Sequence, residues 1–502
     1  MNEAIEGTLF GVLDADPRAL LYYEWRQRLE SGYVVEAFGA DVHRLAATRS
    51  ADPAACLALL DRIERAPRHT GWSCDEPEID GSSRASRHRP PPSSGAPTAL
   101  PPIPARQRYS SNPDVPPPGT GLVRLNTTVA QNDSRSFGSA RSGSLSQSPS
   151  GADELFDRIH GGWLGRCVGC ALGKPLENGF VWTPQRIRAY LERAGAYPLV
   201  DYVPALLSPS KEFPLNPTWP ISARGCIDGS PRDDDVDYTV LGLHLLERRG
   251  FGFTTSDVAT AWLELLPFRQ TYTAERAAYR NLINGLRPPA TALHRNPYRE
   301  WIGALIRADI YGYTNPGNPT RAAELAARDA RLSHTANGIY AAMWAAALVS
   351  AAFTTENART ALEVAHRHIP PRSRLAIALA EVLADHRDGL GWEQATQAIH
   401  QRHDRYNWVH AIPNACLITA GLLWGAGDFT RTIARTVQSG CDTDSNGATA
   451  GSVAGILNGA TAIPRHWTEP LHDTLHTAVF GYDGTSITAL ARRTHALALR
   501  SG

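Results

Sequence analysis

Hydrophobic side chains recur at helical spacing over much of the chain. In the first 80 residues, two stripes with apolar residues every three or four positions are Leu21, Trp25 and Leu29, and Leu57, Leu60 and Ile63. This spacing is typical of a helix that buries one face. We therefore predict that residues 1–80 form a small helical N-terminal region.

The same spacing returns at about Asp153 and continues to the end of the chain. Two further stripes are Leu375, Leu379, Val382 and His386, and Ile487, Leu490 and Leu497. The segment GIYAAMWAAALVSAAF is apolar on nearly all sides, as expected of a helix buried nearly all round. Alternating patterns that would predict strands are scarce. The prediction is an all-α fold, with residues 151–502 as the main domain.

Between these two helical regions the composition changes, over residues 81–150. The stretches RHRPPPSSGAPTALPPIPARQ and SRSFGSARSGSLSQSPSG are rich in proline, serine, glycine and arginine. A segment of this composition buries too little apolar surface to offset the entropy lost on ordering. We predict a disordered linker.

Glycine recurs at every fourth position in two separate segments. The two sets are Gly161, Gly165, Gly169 and Gly173, and Gly447, Gly451, Gly455 and Gly459. Because glycine costs about 1 kcal/mol relative to alanine inside a helix, this spacing favours two helices that pack backbone against backbone. Close packing alone would explain the pattern. A further role is indicated by the acidic residues at the adjoining ends, Glu177 after one segment and Asp442 and Asp444 before the other.

A third acidic group, Asp233, Asp234 and Asp235, precedes an apolar helix. One aspartate suffices to cap a helix N-terminus, so three in succession exceed that need. Two like charges about 4 Å apart repel by roughly 4 kcal/mol at an effective dielectric near 20. If these residues converge with Asp442 and Asp444, they need protons or a cation. Because the ligands are oxygens, the pattern favours Mg²⁺, Mn²⁺ or Ca²⁺ over zinc.

Two other motifs offer competing interpretations. The segment DTDSNG matches the opening of an EF-hand, but the twelfth position holds Val453 where a calcium loop carries glutamate. Cys167 and Cys170 form a CxxC pair, and the sequence has no second pair to complete a zinc site. We interpret these cysteines as small residues for helix packing, and His400 and His403 as surface or core residues.

The composition argues against several classes of function. Lysine plus arginine and aspartate plus glutamate both total 50, so the net charge is zero and no nucleic-acid partner is expected. Seven cysteines in 502 residues do not indicate a disulfide framework. The first residues lack the pattern of a secretion signal, and no run of about 18 uncharged apolar residues predicts a membrane span. We expect a cytoplasmic protein with no membrane partner.

The three motifs together resemble the ADP-ribosylglycohydrolase family, the relatives of dinitrogenase reductase-activating glycohydrolase. GRCVGCALGKPLE, which ends at Glu177, is similar to the family's first motif, G-x-A-x-G-D-A-L-G-x-P-x-E. DDDV, which begins at Asp233, is similar to the second motif, T-D-D-T. SGCDTDSNGATAGSVAGILNGATAIP is similar to the third, in which G-G-D-T-D-T-N precedes a helix of small residues. The resemblance covers about residues 155–470.

Four positions depart from the family pattern. Cys170 stands where the first motif has aspartate, and Ser445 replaces the last threonine of D-T-D-T. Asp233 and Val236 replace the two threonines of the second motif. Because Asp233 keeps an oxygen ligand and adds a negative charge, metal affinity or metal choice is expected to differ from the family pattern.

The resemblance implies two divalent cations in a cleft of the helical domain, with Mg²⁺ as the expected ion and Mn²⁺ as the alternative. The implied metal ligands are Asp233, Asp234, Asp235, Asp442, Asp444 and Ser445. Glu177 and Asp235 are the candidate catalytic residues, and Glu177 matches the family's glutamate as the acid/base candidate. The segments RADIYGYTNPG and LSH lie in the region with which the family holds ADP-ribose, so Asp309, Gly312 and His334 are candidate substrate-binding residues. His334 could equally be a buried structural histidine.

The predicted function is a metal-dependent hydrolase that cleaves the glycosidic bond of an ADP-ribosylated protein or small molecule and releases ADP-ribose. Cleavage at ribose C1″ builds oxocarbenium character, and paired cations would orient the ribose hydroxyls and activate water while a carboxylate moves protons. Two alternatives stay open. One is another dimetal hydrolase acting on a nucleotide-like substrate, and the other is a non-catalytic relative that binds ADP-ribose.

Overall fold

Helices make up most of the fold, which confirms the predicted all-α class. The computed structural model describes residues 16–70, 151–206 and 212–501, together with positions 5, 8, 9, 72, 74 and 76. Within these residues, β-structure amounts to a two-stranded antiparallel pair and a few isolated bridges. The linker predicted at residues 81–150 lies outside the described residues, and the domain boundaries stay a prediction.

Within residues 16–70 the chain forms three helices, and two of them begin with the same local signal. The helices are α1 (Pro17–Glu30), α2 (Gly39–Ala47) and α3 (Pro53–Ile63). Asp16 and Asp52 cap α1 and α3 by accepting a backbone N–H, and each precedes a proline at the first helical position. In α3 the buried face runs through Leu60 and Ile63, whereas Leu57 is exposed.

The middle of the chain contains the first glycine helix and the helix that follows the three aspartates. The helices are α4 (Gly151–Gly173), α5 (Pro184–Arg193), α6 (Trp219–Ser222), α7 (Asp234–Arg249), α8 (Thr255–Leu265), α9 (Thr273–Ile283), α10 (Ala290–Leu293), α11 (Asp309–Tyr313), α12 (Pro319–Ala330) and α13 (Ala336–Ala352). Helix α13 carries the apolar GIYAAMWAAALVSAA sequence and is buried along most of its length, as predicted.

The C-terminal part contains the second glycine helix and the small sheet. Its elements are α14 (Ala358–His366), α15 (Arg374–Arg387), α16 (Trp392–Arg402), α17 (Ala411–Gly425), α18 (Phe429–Gln438), α19 (Thr443–Asn458), α20 (Arg465–Thr468), β1 (Thr474–Leu475), β2 (Thr485–Ser486) and α21 (Ile487–Ser501). Short 3₁₀ turns lie at Glu36–Phe38, Lys174–Leu176, Gly250–Gly252, Phe268–Gln270, Ile302–Ala304, Ala460–Ala462 and Glu469–Leu471.

The two glycine helices pack backbone against backbone, which confirms the prediction from their spacing. A Cβ atom on Gly165 would lie 2.0 Å from the carbonyl oxygen of Gly451, and one on Gly169 would lie 1.9 Å from that of Gly447. Such distances leave no room for any side chain. Later glycines of α4 face earlier glycines of α19, so the two helices run antiparallel. The C-terminal end of α4 therefore meets the N-terminal end of α19.

The N-terminal region packs against the same hydrophobic core as the later helices and is joined to them by buried polar contacts. Arg299 donates to Glu24 Oε1 at 3.0 Å, and Gln27 donates to Glu300 Oε1 at 2.7 Å. Removing one member of a buried ion pair leaves an uncompensated charge. Residues of α1 therefore contribute to the polar contacts that hold the segment before α11 in place.

Candidate metal and active site

The end of the glycine seam brings the first and third acidic motifs together. Thr443 Oγ1 donates to the Gly173 carbonyl oxygen at 2.8 Å, which fixes the first residue of α19 against the last residue of α4. The 3₁₀ turn after α4 then leads to Glu177. As a result, carboxylate oxygens of Glu177, Asp442 and Asp444 lie within 4.8 Å of one another.

The N-terminus of α7 adds the second motif. Asp233 caps the helix, because its Oδ1 accepts the backbone N–H of Asp235 at 3.0 Å. Ser445 Oγ donates to Asp235 Oδ2 at 3.1 Å, so the third motif contacts the second directly. Asp234 lies half-buried in the first turn of α7. We call Asp233, Asp234, Asp235, Asp442, Asp444 and Glu177 the acidic cluster.

Arg166 contacts the first turn of α7 through its guanidinium group. It is fully buried in α4, and its Nε donates to the carbonyl oxygen of Asp235 at 2.9 Å. Its Nη2 lies 3.3 Å from Asp235 Oδ1, and its Nη1 donates to Asp309 Oδ2 at 2.8 Å. One guanidinium thus orients Asp235 and links it to Asp309 at the start of α11.

Lys174 is the second cation in contact with the cluster. Its Nζ donates to Asp233 Oδ2 and lies 3.7 Å from Asp444 Oδ2 and 3.9 Å from Glu177 Oε2. Lys174 is buried, and it is the first residue of the 3₁₀ turn that follows α4.

Burial and like charges control the protonation of the cluster. Burial, followed by the negative charge of Asp233, raises the pKa of Asp235 well above its usual range. Burial and the charge of Asp444 raise the pKa of Glu177 and of Asp442 in the same way. Burial also opposes ionisation of Asp233, but the attraction of the Lys174 ammonium outweighs the effect of burial, and the pKa of Asp233 is lowered. The cluster therefore carries more carboxylates than its side-chain cations balance.

The donor atoms of the cluster suit a hard divalent cation on one side. Glu177, Asp442 and Asp444 offer three carboxylates, which are the ligands that Mg²⁺ and Mn²⁺ prefer. Asp442 lies at the N-cap position of α19, but its side chain makes no capping hydrogen bond. On the other side, carboxylate oxygens of Asp233 and Asp235 and the sulfur of Cys170 lie within 4.8 Å of one another.

An amide positions the loop that carries Asp442. Asn414 Oδ1 accepts the backbone N–H of Asp442 at 3.1 Å and an amide hydrogen of Asn446 at 2.7 Å. Asn216 has a comparable role at Glu177, because its Nδ2 donates to Glu177 Oε2 at 3.1 Å. Helix α19 begins directly after Asp442, so the segment forms a helix start rather than an EF-hand loop.

The candidate substrate-binding residues lie in buried packing. Asp309 is held by Arg166. A Cβ on Gly312 would lie 2.4 Å from Val349 Cγ1, so this glycine serves the contact between α11 and α13. His334 is buried, and Ser333 Oγ lies 2.8 Å from its Nδ1. Their role in binding substrate stays a prediction.

A cavity of about 880 Å³ is lined by residues that are close in the chain to two members of the acidic cluster, although no member of the cluster lines it. Its lining includes Phe180, three residues after Glu177 in the chain, and Cys441, which precedes Asp442. Trp392 and Trp408 contribute aromatic walls. The cavity also includes His400, which the sequence indicated as a surface or core residue and which hydrogen-bonds the Ser439 carbonyl at 2.8 Å.

Sequence reasoning missed four residues of this site, namely Arg166, Lys174, Asn216 and Asn414. Lys174 carried a usable signal, because it lies inside the first motif and is one of two lysines in the whole chain. Arg166 is a charged residue inside an otherwise small and apolar helix. The two asparagines had no distinguishing pattern, since their contacts join distant segments.

The chain belongs to the ADP-ribosylglycohydrolase family, because residues 151–501 match that family. This family is a group of hydrolases that act on ADP-ribosylated substrates. A solved structure described as an "ADP-ribosylglycohydrolase-related protein complex" is 21% identical with a TM-score of 0.41, and the match covers 70% of this chain and 99% of that chain. No curated protein matches the chain.

Among the described residues, no helix combines the length and apolar character needed to cross a membrane. The cytoplasmic location and the lack of a nucleic-acid partner stay predictions from the sequence.

Proposed function

We propose that this protein is a metal-dependent hydrolase that cleaves the glycosidic bond of an ADP-ribosylated protein or small molecule and releases ADP-ribose. The observation that carries the proposal is the convergence of three acidic motifs where α4, α7 and α19 meet. A buried group of carboxylates that lacks matching cations is unstable unless protons or a metal ion balance it.

Glu177 is the proposed acid/base. Its side chain is 32% exposed, whereas those of Asp233 and Asp444 are 4% and 3% exposed, so Glu177 is better placed than these two aspartates to reach substrate. Asn216 holds its Oε2 and thereby orients the carboxyl group. A proton held at Glu177 would pass to the leaving group, and the resulting carboxylate would take a proton from the attacking water.

The other acidic residues hold and orient the cation. A bound divalent cation would polarise water and the ribose hydroxyls. Asp442 and Asp444 would bind it directly, and Asp235 would be kept in place by Arg166 and Ser445. Ligands that are themselves hydrogen-bonded keep their orientation, which supports metal binding.

The cavity lined by Phe180 and Cys441, which are close in the chain to Glu177 and Asp442, is consistent with the proposed substrate. Its size is within the range of sites for small organic ligands. Aromatic rings such as Phe180 and Trp408 can stack against a planar base. We propose that part of the substrate occupies this cavity while its glycosidic bond lies at Glu177.

A chromatographic assay for free ADP-ribose tests the function. The protein would be incubated with arginine-, serine- and nucleic-acid-linked ADP-ribose, with arginine-linked ADP-ribose first, in Mg²⁺ or Mn²⁺ and in EDTA. The expected result is metal-dependent release of ADP-ribose. Binding of ADP-ribose without cleavage of any conjugate would favour the non-catalytic alternative, and release of phosphate from a nucleotide would favour the other hydrolase.

A further inference from the structure

Lys174 places a positive charge where the three acidic motifs meet. The residue is 6% exposed, and its ammonium contacts Asp233 while lying within 4 Å of Asp444 and Glu177. These three carboxylates come from three separate segments of the chain. The lysine is therefore a central member of the cluster and not a surface residue that happens to lie nearby.

The Asp233 side of the cluster does not suit a hard divalent cation. Mg²⁺ binds carboxylate oxygens at about 2.0–2.1 Å, but Asp233 Oδ2 already accepts a hydrogen bond from the ammonium. An ion on that oxygen would stand directly beside a second positive charge. The third ligand atom on this side is the sulfur of Cys170, and hard cations select oxygen over sulfur.

The opposite side of the cluster does suit one ion. Glu177, Asp442 and Asp444 offer carboxylate oxygens within 4.8 Å of one another, and the Asp442 side chain is not used to cap α19. Lys174 also approaches two of these residues, at 3.7 and 3.9 Å, but its closest contact is with Asp233. A cation bound there would therefore share the cluster with the lysine, each neutralising a different part of it.

We propose that Lys174 takes the place of one divalent cation, so that the site holds a single metal ion at Asp442 and Asp444, next to Glu177. This inference rests on the metal site of the proposed function and departs from the two ions that the family resemblance implies. The ammonium balances Asp233, the aspartate that replaces a threonine of the family motif, and Cys170 completes a side that no longer binds metal. The proposal thus explains Asp233, Cys170 and Lys174 together, because all three lie on the side of the cluster where the ammonium replaces a metal ion.

Binding of Mn²⁺ alone tests the proposal. The number of ions per chain would be measured by equilibrium dialysis with elemental analysis, and electron paramagnetic resonance would separate isolated Mn²⁺ from coupled pairs. The variants are Lys174→Met, which keeps an unbranched side chain without the charge, and Arg158→Met as a control. Arg158 is a cation in α4, the helix that precedes Lys174, and it pairs with Glu154 at 3.0 Å.

The wild-type protein and Arg158→Met are expected to bind one Mn²⁺ per chain with the spectrum of an isolated ion. Lys174→Met is expected to bind two, because the freed Asp233 oxygen becomes available. Two ions in the wild-type protein would overturn the proposal, and that measurement does not depend on the folding of any variant. One ion in a folded Lys174→Met protein would also overturn it.

The outcome is separable from that of the proposed function. Release of ADP-ribose by a protein that binds two ions would leave the function in place and remove the role of Lys174. Binding of one ion without cleavage of any conjugate would support the role of Lys174 and count against the function. Failure of all variants to bind Mn²⁺ would overturn both the single-ion site and the metal dependence.

Discussion

Two buried clusters of charged residues in this protein solve the same electrostatic problem differently. One is the acidic cluster. The other, which we call the Arg307 cluster, comprises Arg307, Glu275, Asp329, Tyr311 and Ser333. Arg307 donates to Asp329 Oδ1 at 2.7 Å and to Ser333 Oγ at 3.1 Å, and it also contacts Glu275. Tyr311 donates to the other oxygen of Asp329 at 2.7 Å.

In the Arg307 cluster a proton can balance the surplus carboxylate near neutral pH. Asp329 pairs with the guanidinium, and burial raises the pKa of Glu275 to about 7 although Arg307 opposes the shift. The acidic cluster has six carboxylates, in contact with Lys174 and Arg166. A few protons could balance it, but several of its oxygens face one another at the end of the glycine seam, which is the arrangement that a metal ion bridges.

We interpret the difference as that between a structural cluster and the proposed functional site. In the Arg307 cluster, charges and hydrogen bonds are matched within the protein, and the residues near it include His334, a substrate-binding candidate from the sequence. In the acidic cluster the charges are not matched by the side chains alone, and protons or an added cation must balance them. Variants in the first cluster should therefore alter stability, and variants in the second should alter metal binding and catalysis.

The largest expected effect is on catalysis. Glu177→Gln should lower kcat by roughly 10²–10⁴-fold, because it removes the group that transfers protons in the transition state. The assay would measure ADP-ribose release at saturating Mn²⁺, so that any weaker metal binding is compensated. Glu192→Gln, an exposed glutamate that pairs with Arg188, is the control. Wild-type turnover by Glu177→Gln would show that Glu177 is not the acid/base.

A large stability effect is expected from Arg307→Met. The substitution leaves Asp329 and Glu275 buried without their cation, and breaking a buried ion pair costs about 3–5 kcal/mol. Urea unfolding followed by circular dichroism measures the change. Arg188→Met removes an exposed ion pair, which solvent screens, and should leave the free energy of unfolding nearly unchanged. Equal losses in the two variants would contradict the contrast between clusters.

Metal should stabilise the acidic cluster by an intermediate amount. An ion that binds only the native state contributes RT ln(1 + [L]/Kd), or about 2.7 kcal/mol at a hundredfold excess over Kd. Asp444→Asn should lose this Mn²⁺-dependent gain, while its metal-free form should be no less stable than wild type because a repelling charge is removed. Thermal melts with Mn²⁺ and with EDTA measure both effects, and the exposed Asp228→Asn is the control. Melting temperatures that are the same with Mn²⁺ and with EDTA in every protein would argue against a metal site.

The smallest expected effect is the pH dependence of the Arg307 cluster. The folded protein holds a proton on Glu275 that the unfolded chain releases, since the folded pKa is about 7 and the ordinary value is 4.5. This contribution to stability is present below pH 4.5 and is lost as the pH rises through about 7. Glu275→Gln cannot ionise, so it should gain about 1–3 kcal/mol relative to wild type between pH 4.5 and pH 8. Urea unfolding at both pH values checks this, and a constant difference between the proteins would contradict it.

Much of the fold was predictable because its signals are local. The helical stripes, the absence of strand patterns and the fourfold glycine repeats depend on spacing within one segment. The glycine repeats even predicted a tertiary contact, since a helix that carries no side chain along one face lets another backbone approach closely. From that contact, the meeting of Glu177 with Asp442 and Asp444 followed.

The remaining parts of the site depended on contacts between distant segments. Lys174 reaches Asp233 across 59 residues, and Arg166 reaches Asp309 across 143. No periodicity records which buried cation faces which carboxylate, because that choice depends on the way several helices pack around one point. For the same reason, the sequence could identify the acidic residues as candidates for a metal site, whereas only the tertiary structure placed a lysine among them and put His334 beside Glu275 in a separate cluster.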